Sequence, residues 1–448
     1  MNSLEQLHSG ELKGAKTIRL SCHLKSFPIE LFELADTLEI LDLSNNQLSH
    51  LPDNFGEFKN LKIAFFSENN FSVFPEVLSQ CPKLTMIGFK SNQINTISER
   101  AFPEHLQWLI LTNNQINRLP KSIGKCSRLQ KVALAGNQLQ DLPIEMANCK
   151  NLALLRISAN QLTQFPEWLL SMPRLSWLAF SGNPFCKKIN LKEELPFISW
   201  KNIEVKETLG EGASGIISRA TWFESNIKKD IAIKVFKGEV TSDGFPEDEM
   251  NACIAAGSHK HLVTVIGKLN HHPQQKIGLL LELIPAKYKN LAGPPSFDTC
   301  TRDTFKTGVC FSPESVLKIS QAIANTAMHL HSKGIMHGDL YAHNTLIDDE
   351  ANTIFGDFGA ATYYGVSNKT SHLFEKLDVR AFGCLMEDLL NLVLENKKKE
   401  ALFLCLIDLK NTCLKEQIDE RPLFKDILQM LDVFYPLSSQ GIQSFNCN

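Results

Sequence analysis

Apolar residues recur at a fixed period through the first half of the chain. Leading leucines stand 22 or 23 residues apart, and each begins a hexamer whose first, fourth and sixth positions are apolar. The leading positions are Leu38, Leu61, Leu84, Leu106, Leu129, Leu152 and Leu175. This alternation predicts one short strand in each unit, and its repetition predicts strands stacked side by side on a shared core.

An asparagine follows each predicted strand at the same place. The set is Asn46, Asn69, Asn92, Asn114, Asn137, Asn160 and Asn183. A carboxamide at a turn can bind the backbone of neighbouring units, so we expect a structural ladder rather than a ligand site. The pattern resembles the leucine-rich repeat, which implies an α/β solenoid over residues 38–190. Residues 1–37 are then an N-terminal cap or degenerate repeat, covering the open end.

The second and fourth residues after each leading leucine, which are the third and fifth positions of the hexamer, are predicted to point to the concave face of the solenoid. A solvated face should be polar, yet apolar residues dominate the middle of this one. They are Ile63, Phe65, Met86, Trp108 and Ile110, with Trp177 in the last unit. Apolar patches of this kind mark interaction sites, so we expect a protein substrate or partner to bind here.

A different pattern begins near residue 200. Two predicted strands, 203–206 and 216–220, flank the glycine-rich stretch 210–215, and an apolar run with a single lysine, Lys234, follows. In a dinucleotide-binding fold such glycines would connect a strand to a helix. Between two strands they instead favour a hairpin whose backbone N–H groups approach phosphates.

Further along, three side chains suited to phosphoryl transfer occur in order. Asp339 can accept a proton from a hydroxyl group. Asn344, five residues later, and Asp357, in an Asp-Phe-Gly triplet, can hold Mg²⁺ against phosphates. Phosphoryl transfer depends mainly on positioning and charge neutralisation, which such a set provides.

Together these motifs resemble those of eukaryotic-type protein kinases, over residues 203–438. The resemblance implies a multidomain protein, with a two-lobed α+β kinase-like domain after the solenoid. It also implies ATP and Mg²⁺ as cofactors and a protein hydroxyl as acceptor, with Ser/Thr favoured over Tyr.

The resemblance also implies roles for individual residues. Asp339 corresponds to the catalytic base, Lys234 to the lysine that pairs with phosphates, and Asn344 and Asp357 to the metal ligands. Glu249 is favoured over Glu247 as the partner of Lys234. The residues expected at the nucleotide are Gly210, Glu211, Gly212, Ala213, Ser214, Gly215, Ile217, Ala232, Lys234, Glu249, Leu281, Glu282, Leu283, Leu346 and Asp357. Asp378 and Arg421 match two buried residues of the large lobe.

The chain departs from the family pattern around the catalytic loop. Gly338 replaces the arginine that usually receives a phosphate from the activation loop. Only 21 positions separate Asp357 from Asp378, and no Ala-Pro-Glu lies between them. Tyr341 stands where Ser/Thr kinases carry a lysine, and His343 where many tyrosine kinases carry an arginine. Tyr363, Tyr364 and Thr370 remain possible phosphorylation sites in the short segment.

Two other interpretations stay open at this point. The catalytic loop also resembles that of aminoglycoside and choline kinases, which phosphorylate small molecules. A pseudokinase scaffold would bind ATP without transferring phosphate, although no lysine, base or metal ligand is missing here.

Residues 191–202 are half apolar, which predicts a short linker packed between the domains through Leu195, Phe197, Ile198 and Trp200. Residues 439–448 form a C-terminal tail.

The chain has a net charge of −3, and its sequence contains no basic block of the kind that binds nucleic acid. No apolar run of 18 residues and no secretory signal are visible, so we expect a cytoplasmic protein without a membrane span. Cys81, Cys126 and Cys149 share one repeat position and are expected to fill the core as free thiols. The oligomeric state stays open.

Overall fold

The computed structural model describes residues 2–187, 195–212, 214–224, 227–238, 240–365 and 370–438. Ala213, residues 191–194 of the predicted linker and the tail 439–448 lie outside the described residues. The chain forms two compact units. The first comprises Met1–Leu175 and Gly182–Phe185, and the second comprises Ser176–Ser181 and Cys186–Asn448.

The first unit is a parallel solenoid. It begins with helix α1 (Leu4–His8), where Ser3 and Gln6 form a capping box. The strands are β1 (Thr17–Arg19), β2 (Ile40–Asp42), β3 (Ile63–Phe65), β4 (Met86–Gly88), β5 (Trp108–Ile110), β6 (Lys131–Ala133) and β7 (Leu154–Arg156). Short 3-10 helices on the other side span Ile29–Leu34, Asp53–Glu57, Glu76–Gln80, Lys121–Lys125, Ile144–Asn148 and Glu167–Ser171. Ile18 pairs with Leu41, so the predicted cap adds a strand to the sheet.

The asparagine ladder forms as predicted. The Asn69 carboxamide nitrogen donates to the carbonyls of Leu43 and Phe66, at 2.9 and 3.1 Å, while its oxygen accepts the Leu48 N–H at 2.8 Å. Asn92, Asn114, Asn137 and Asn160 repeat this arrangement one repeat apart. Each asparagine therefore links adjacent repeats, and its buried polar atoms are occupied by the backbone.

The concave face keeps the predicted alignment, but it is less exposed than predicted. Ile63 pairs with Met86 and Met86 with Trp108, which places them in one row. Ile63 and Met86 are only 6% and 5% exposed, while Phe65, Trp108 and Ile110 are half-buried. Side chains on strands about 4.8 Å apart cover one another, and the Phe65 ring lies over Gly88.

Trp177 was predicted to belong to the apolar patch on the concave face, and the structure shows that this prediction is wrong. Its strand β8 (Trp177–Ala179) belongs to the second unit, and Trp177 is 2% exposed. Its indole N–H donates to the Leu340 carbonyl at 3.2 Å, in the same unit. Trp177 is therefore buried rather than available on an open surface.

The small lobe of the second unit is a six-stranded sheet with helix α2 (Pro246–Ala256). Its strands are β9 (Phe197–Ser199), β10 (Ile203–Glu211), β11 (Gly215–Glu224), β12 (Ile227–Phe236), β13 (Val265–Asn270) and β14 (Gly278–Glu282). The order is β10-β11-β12-β14-β13-β9, and β9 runs parallel to β13. The hairpin of β10 and β11 places the glycine-rich stretch in its turn, as predicted.

The segment predicted as a linker is part of this sheet. Ile198 is buried in the small-lobe core with Ile231, Ile233 and Leu280, and Trp200 packs against that cluster. Phe197 is 69% exposed, as expected for a residue that alternates outward on an edge strand. The apolar character of 195–202 thus reflects burial in the kinase-like lobe.

The large lobe is mainly helical. Its helices are α3 (Pro313–Ser332), α4 (Ser371–Asn391), α5 (Ala401–Cys413) and α6 (Phe424–Ser438). Its short strands are β15 (Lys289–Asn290), β16 (Ile335–Met336), β17 (Thr345–Ile347), β18 (Thr353–Phe355) and β19 (Thr362–Tyr363). The Ser312 hydroxyl caps α3 by accepting the Ser315 N–H. Within the described parts of the chain, no helix is both long and apolar enough to cross a bilayer.

Candidate active site

A cavity of about 100 Å³ lies beneath the glycine-rich turn. It is lined by Gly212, Ser214, Gly215, Ile217, Lys234, Asp243, Asp357 and Gly359. The predicted glycine, lysine and metal-binding motifs therefore meet at one place, although they lie up to 147 positions apart in the chain. A concave site with one cation and convergent polar groups is suited to an anionic ligand.

Lys234 on β12 forms an ion pair with Glu249 on α2. The structure thus places Glu249, rather than the exposed Glu247, against the lysine. Burial alone would lower the pKa of Lys234, but the carboxylates of Glu249 and Asp357 outweigh burial and raise it. The ammonium group is therefore held in its charged form, at the wall of the cavity.

Two of the glycines in the turn leave the space above the cavity open. A Cβ atom at Gly210 or Gly212 would have no neighbour within 4 Å. At Gly215, by contrast, it would lie 2.6 Å from the Val235 carbonyl oxygen, so a side chain is excluded there by the neighbouring strand. The predicted contact residue Glu211 is exposed and forms a salt bridge with Lys237 at 2.8 Å.

Asp339 and Asn344 are joined directly. The Asn344 carboxamide nitrogen donates to the Asp339 carboxylate at 2.7 Å and to its backbone carbonyl at 2.9 Å. These bonds fix the Asn344 carboxamide with its nitrogen toward Asp339, which leaves its oxygen to face another ligand. The loop thus presents a carboxylate and a carboxamide oxygen as separate groups.

The donor set fits a hard divalent cation such as Mg²⁺. Asp357 has a positive φ of 56°, an uncommon conformation for a residue with a side chain, and its carboxylate accepts the Gly359 N–H at 3.0 Å. Asp357 and Asn344 would supply oxygen ligands, and phosphate oxygens would complete the coordination. Magnesium usually binds through one or two protein groups plus phosphates, so these two residues suffice.

Asp378, on α4, holds the backbone of the catalytic loop in place. This fully buried carboxylate accepts the backbone N–H groups of His337 and Gly338, at 2.8 and 3.1 Å. Gly338 has φ of 69°, and a Cβ there would lie 2.9 Å from the Ala360 carbonyl oxygen. Gly338 therefore serves the loop backbone, because an arginine at this position would be strained.

The other residues expected at the nucleotide lie on, or directly after, strands of the small and large lobes. Ala232 pairs with Leu281 across β12 and β14, and Leu346 lies on β17. The Glu282 N–H already donates to the Thr264 carbonyl at 2.9 Å. The N–H group of Glu282 is therefore already engaged within the small lobe. Leu283 follows the end of β14.

The structure adds two acidic residues that the sequence motifs did not indicate. Asp243 lines the cavity between the glycine-rich turn and Gly359. Asp303, in the segment before α3, accepts the N–H groups of Ala342 and His343 in the catalytic loop, at 2.7 and 3.2 Å. Neither residue stands in a recognisable motif, and Asp303 lies about 40 positions from the loop it contacts. No local sequence signal could have found them.

The end of the described activation segment is buried. Tyr364 is 7% exposed, and its hydroxyl lies 2.9 Å from the Nδ1 atom of His331. Burial raises the pKa of this phenol far above its usual value. Tyr364 is therefore enclosed, which corrects its prediction as a phosphorylation site, whereas Tyr363 is partly exposed.

Arg421, which was predicted to be a buried residue of the large lobe, is 2% exposed. The Arg421 guanidinium donates to the carbonyls of Lys415 and Lys376, at 2.7 and 3.2 Å. The carboxylate of Glu375, on α4, accepts the Phe424 N–H at 2.7 Å. Backbone carbonyls thus contribute to the charge-assisted bonds that hold Arg421.

Similar proteins share parts of this chain. The angiopoietin-1 receptor of Danio rerio is 25% identical over 173 residues, 37% of this chain and 15% of that protein. "Probable serine/threonine-protein kinase kinY" of Dictyostelium discoideum is 26% identical over 292 residues, 54% of this chain and 49% of that protein. The serine/threonine-protein kinase PITSLRE of Drosophila melanogaster is 27% identical over 158 residues, 35% of this chain and 15% of that protein. The chain spans about half or less of the length of these relatives.

Two family descriptions match successive parts of the chain. "Leucine rich repeat" matches residues 36–94, 82–139 and 127–185. "Protein tyrosine and serine/threonine kinase" matches residues 203–380, which include the glycine-rich turn, Lys234 and the catalytic loop. The chain is therefore a fusion of leucine-rich repeats with a protein kinase domain.

Proposed function

We propose that this protein transfers the γ-phosphoryl group of ATP to a protein hydroxyl, and that Ser or Thr is favoured as acceptor. The observation that carries the proposal is the charged Lys234, paired with Glu249 in the cavity that Asp357 also lines. Kinases require both the lysine–glutamate pair and the metal-binding aspartate in place. Relatives named as serine/threonine kinases support the choice of acceptor.

The residues divide the chemistry between them. Lys234 would hold the α- and β-phosphates, and the glycine-rich turn, which carries no Cβ atom at Gly210 and Gly212, would cover the phosphate chain. Asp339, oriented by Asn344, would take the proton as the acceptor oxygen bonds to phosphorus. The bond from the γ-phosphorus to the bridging oxygen then breaks, and ADP leaves. Magnesium, held by Asn344 and Asp357, would neutralise charge on the phosphates.

Phosphate transfer by the purified chain tests this function. Wild type and Asp339→Ala are incubated with γ-labelled ATP, Mg²⁺ and peptide libraries with Ser, Thr or Tyr acceptors. We expect transfer to Ser or Thr peptides by wild type and at least a hundredfold less by the variant. Binding of ATP without transfer would support a scaffold, and transfer only to a small alcohol would support the small-molecule alternative. Either result would overturn the proposal.

We also propose that the repeat region recruits the protein partner through Phe65, Trp108 and Ile110. These half-buried side chains lie on β3 and β5, on either side of β4, and Lys131 lies over the Trp108 ring at 4.1 Å. Aromatic side chains beside a cation are typical of binding hot spots. A partner crosslinked to wild type would be identified and titrated against Phe65→Ala/Trp108→Ala. We expect about 2 kcal/mol weaker binding.

The control for this titration is Ile144→Ala, a 59% exposed position on a 3-10 helix of the same unit. It should bind the partner like wild type. Equal binding by the double variant would exclude the concave face as the binding site.

We also propose that the protein acts in the cytoplasm. The described cysteines are free thiols, which are typical of a reducing compartment.

A further inference from the structure

The segment Ser176–Ser181, which contains strand β8, belongs to the second unit and lies against its catalytic loop. All six residues of this segment are buried, from 0% exposed at Leu178 and Ala179 to 7% at Ser181. Segments that open readily have few buried contacts, so we expect β8 to stay in place in the folded protein.

Trp177 contacts the two loop residues that follow Asp339. Its indole N–H donates to the Leu340 carbonyl at 3.2 Å. Its ring stacks on the Tyr341 ring, with 4.4 Å between the centroids and 6° between the planes. Leu340 and Tyr341 are 0% and 4% exposed, so both contacts are made inside the protein. A buried hydrogen bond and an aromatic pair together fix the backbone directly after Asp339.

The residue before Asp339 makes room for the same strand. A Cβ atom at Gly338 would overlap the carbonyl oxygen of Leu178. Any side chain at this position, including the arginine of related loops, would therefore push β8 away from the loop. The close approach of the strand thus requires glycine here, in addition to the positive φ of 69°.

The β8 segment also contacts the activation segment and the helix that follows it. The Phe180 N–H donates to the Thr362 hydroxyl at 3.3 Å. The Phe180 ring lies 5.5 Å from the Phe374 ring on α4, between centroids. On the same helix, the Arg380 guanidinium donates to the Ser176 hydroxyl at 3.4 Å. One short segment therefore touches the catalytic loop, the activation segment and α4.

We propose that β8 orders the catalytic loop in place of an arginine–phosphate pair, and that Trp177 is a positioning residue for phosphate transfer. This inference rests on the proposed function. In many kinases a phosphate on the activation segment acts through an arginine next to the base, where this chain has Gly338. Acting through Leu340 and Tyr341, Trp177 holds the Asp339 carboxylate in place for the acceptor hydroxyl.

The location of Trp177 predicts which kinetic constant it controls. The nucleotide cavity is lined by the glycine-rich turn, Lys234 and Asp357, whereas Trp177 contacts the residues after Asp339. Removing Trp177 should therefore displace the proposed base and leave ATP binding unchanged. Because a small displacement of a catalytic group is costly, we expect kcat to fall while the KM for ATP stays within about twofold.

Two variants of the full chain test the proposal, with a peptide that the wild type phosphorylates. Trp177→Ala removes both the ring and the donor, and should lower kcat about tenfold or more. Trp177→Phe keeps a ring for Tyr341 but cannot donate to Leu340, and should lower kcat about threefold or more. The matched control is Trp168→Phe, at a half-buried tryptophan on a 3-10 helix of the first unit, which should keep the wild-type constants.

Calorimetric titration with a non-hydrolysable ATP analogue separates positioning from folding. Each variant should bind the analogue with the wild-type stoichiometry and with a Kd within about twofold, and kcat is expressed per binding site. A loss of kcat that only matches a loss of binding sites would assign Trp177 a merely structural role and overturn the proposal. Should Trp177→Ala not fold, Trp177→Phe decides.

The proposal is also overturned if Trp177→Phe keeps the wild-type kcat, or if either variant is faster than wild type. The second result would show that β8 restrains the loop instead of ordering it. Asp339→Ala is measured in parallel. If wild type transfers no more phosphate than Asp339→Ala, the proposed function itself fails, and the role of Trp177 fails with it.

Discussion

We expect substitutions of Lys234 and of Glu249, the two partners of the buried ion pair, to lower the stability of the domain by different amounts and to lower the rate of phosphate transfer. The side chains are only 12% and 2% exposed. Removing one partner of a buried ion pair costs about 3–5 kcal/mol, because the other charge remains buried. Glu249→Gln leaves the Lys234 ammonium with the Asp357 carboxylate as a remaining partner. We therefore expect this variant to lose about 3 kcal/mol of unfolding free energy, at the low end of that range.

Lys234→Met should cost less, because the group it leaves behind can become neutral. Burial raises the pKa of the Glu249 carboxyl, and without the ammonium nothing of comparable strength opposes it. A protonated Glu249 beside an apolar methionine costs about 1–2 kcal/mol, in the ordinary range for single substitutions. Since the folded-state pKa is raised, the native state binds the extra proton, and the stability of Lys234→Met should fall as pH rises above the ordinary Glu pKa.

Urea unfolding at pH 6 and pH 8 measures both effects, and single-turnover phosphate transfer measures the rate. Both variants should lose at least a hundredfold in rate, about 2.7 kcal/mol of transition-state stabilisation. Lys234→Met/Glu249→Leu should recover much of the stability but none of the rate, because an apolar pair can replace a buried ion pair. Glu247→Gln, exposed and two residues away, is the matched control.

Two results would refute this reasoning. Unfolding of Glu249→Gln at the wild-type urea concentration would show that the pair is not a buried charge pair in solution. A near wild-type rate in either single variant would show that Lys234 does not hold the phosphates.

Three shorter predictions concern the same domain. Asp357→Asn should keep the fold but lose at least a hundredfold in single-turnover rate, about 2.7 kcal/mol, and an unchanged rate would exclude Asp357 as metal ligand. Phosphatase treatment should leave the initial rate within about twofold, about 0.4 kcal/mol, because Gly338 cannot receive a phosphate; a tenfold drop would reveal another receiver. Tyr364→Phe should lower the free energy of unfolding by about 1–3 kcal/mol in urea, because it leaves the buried His331 ring without its hydroxyl partner.

Features with a strict local period were predictable from the sequence. The hexamer pattern located the strands of the solenoid, because alternation determines which side chains face the core. The asparagine positions predicted the ladder, since each carboxamide meets the same backbone groups in every repeat. The catalytic loop and the Asp-Phe-Gly were recognisable for a related reason: their chemistry restricts both residue type and spacing.

Features that depend on packing between distant segments were not predictable. Asp303 contacts the catalytic loop from a distant segment, which Arg302 attaches to α4 through hydrogen bonds to Asp388 and Cys384. Residues 195–202 are apolar because side chains such as Ile198 are buried in the small-lobe sheet. Composition alone could not distinguish a strand of that sheet from a linker packed between two domains. On the concave face, alternation gave the direction of Ile63 and Met86 but not their burial, which depends on neighbouring side chains.

One chain of hydrogen bonds explains how the loop can stay ordered without a phosphate. The His331 Nε2 atom lies 2.9 Å from the Asp378 carboxylate, and its Nδ1 atom lies 2.9 Å from the Tyr364 hydroxyl. The same carboxylate holds the N–H groups of His337 and Gly338. Asp378 thus links the catalytic loop to the end of the activation segment through buried groups. In kinases that pair an arginine with a phosphate, this link depends on modification; here it is built from side chains of the folded domain.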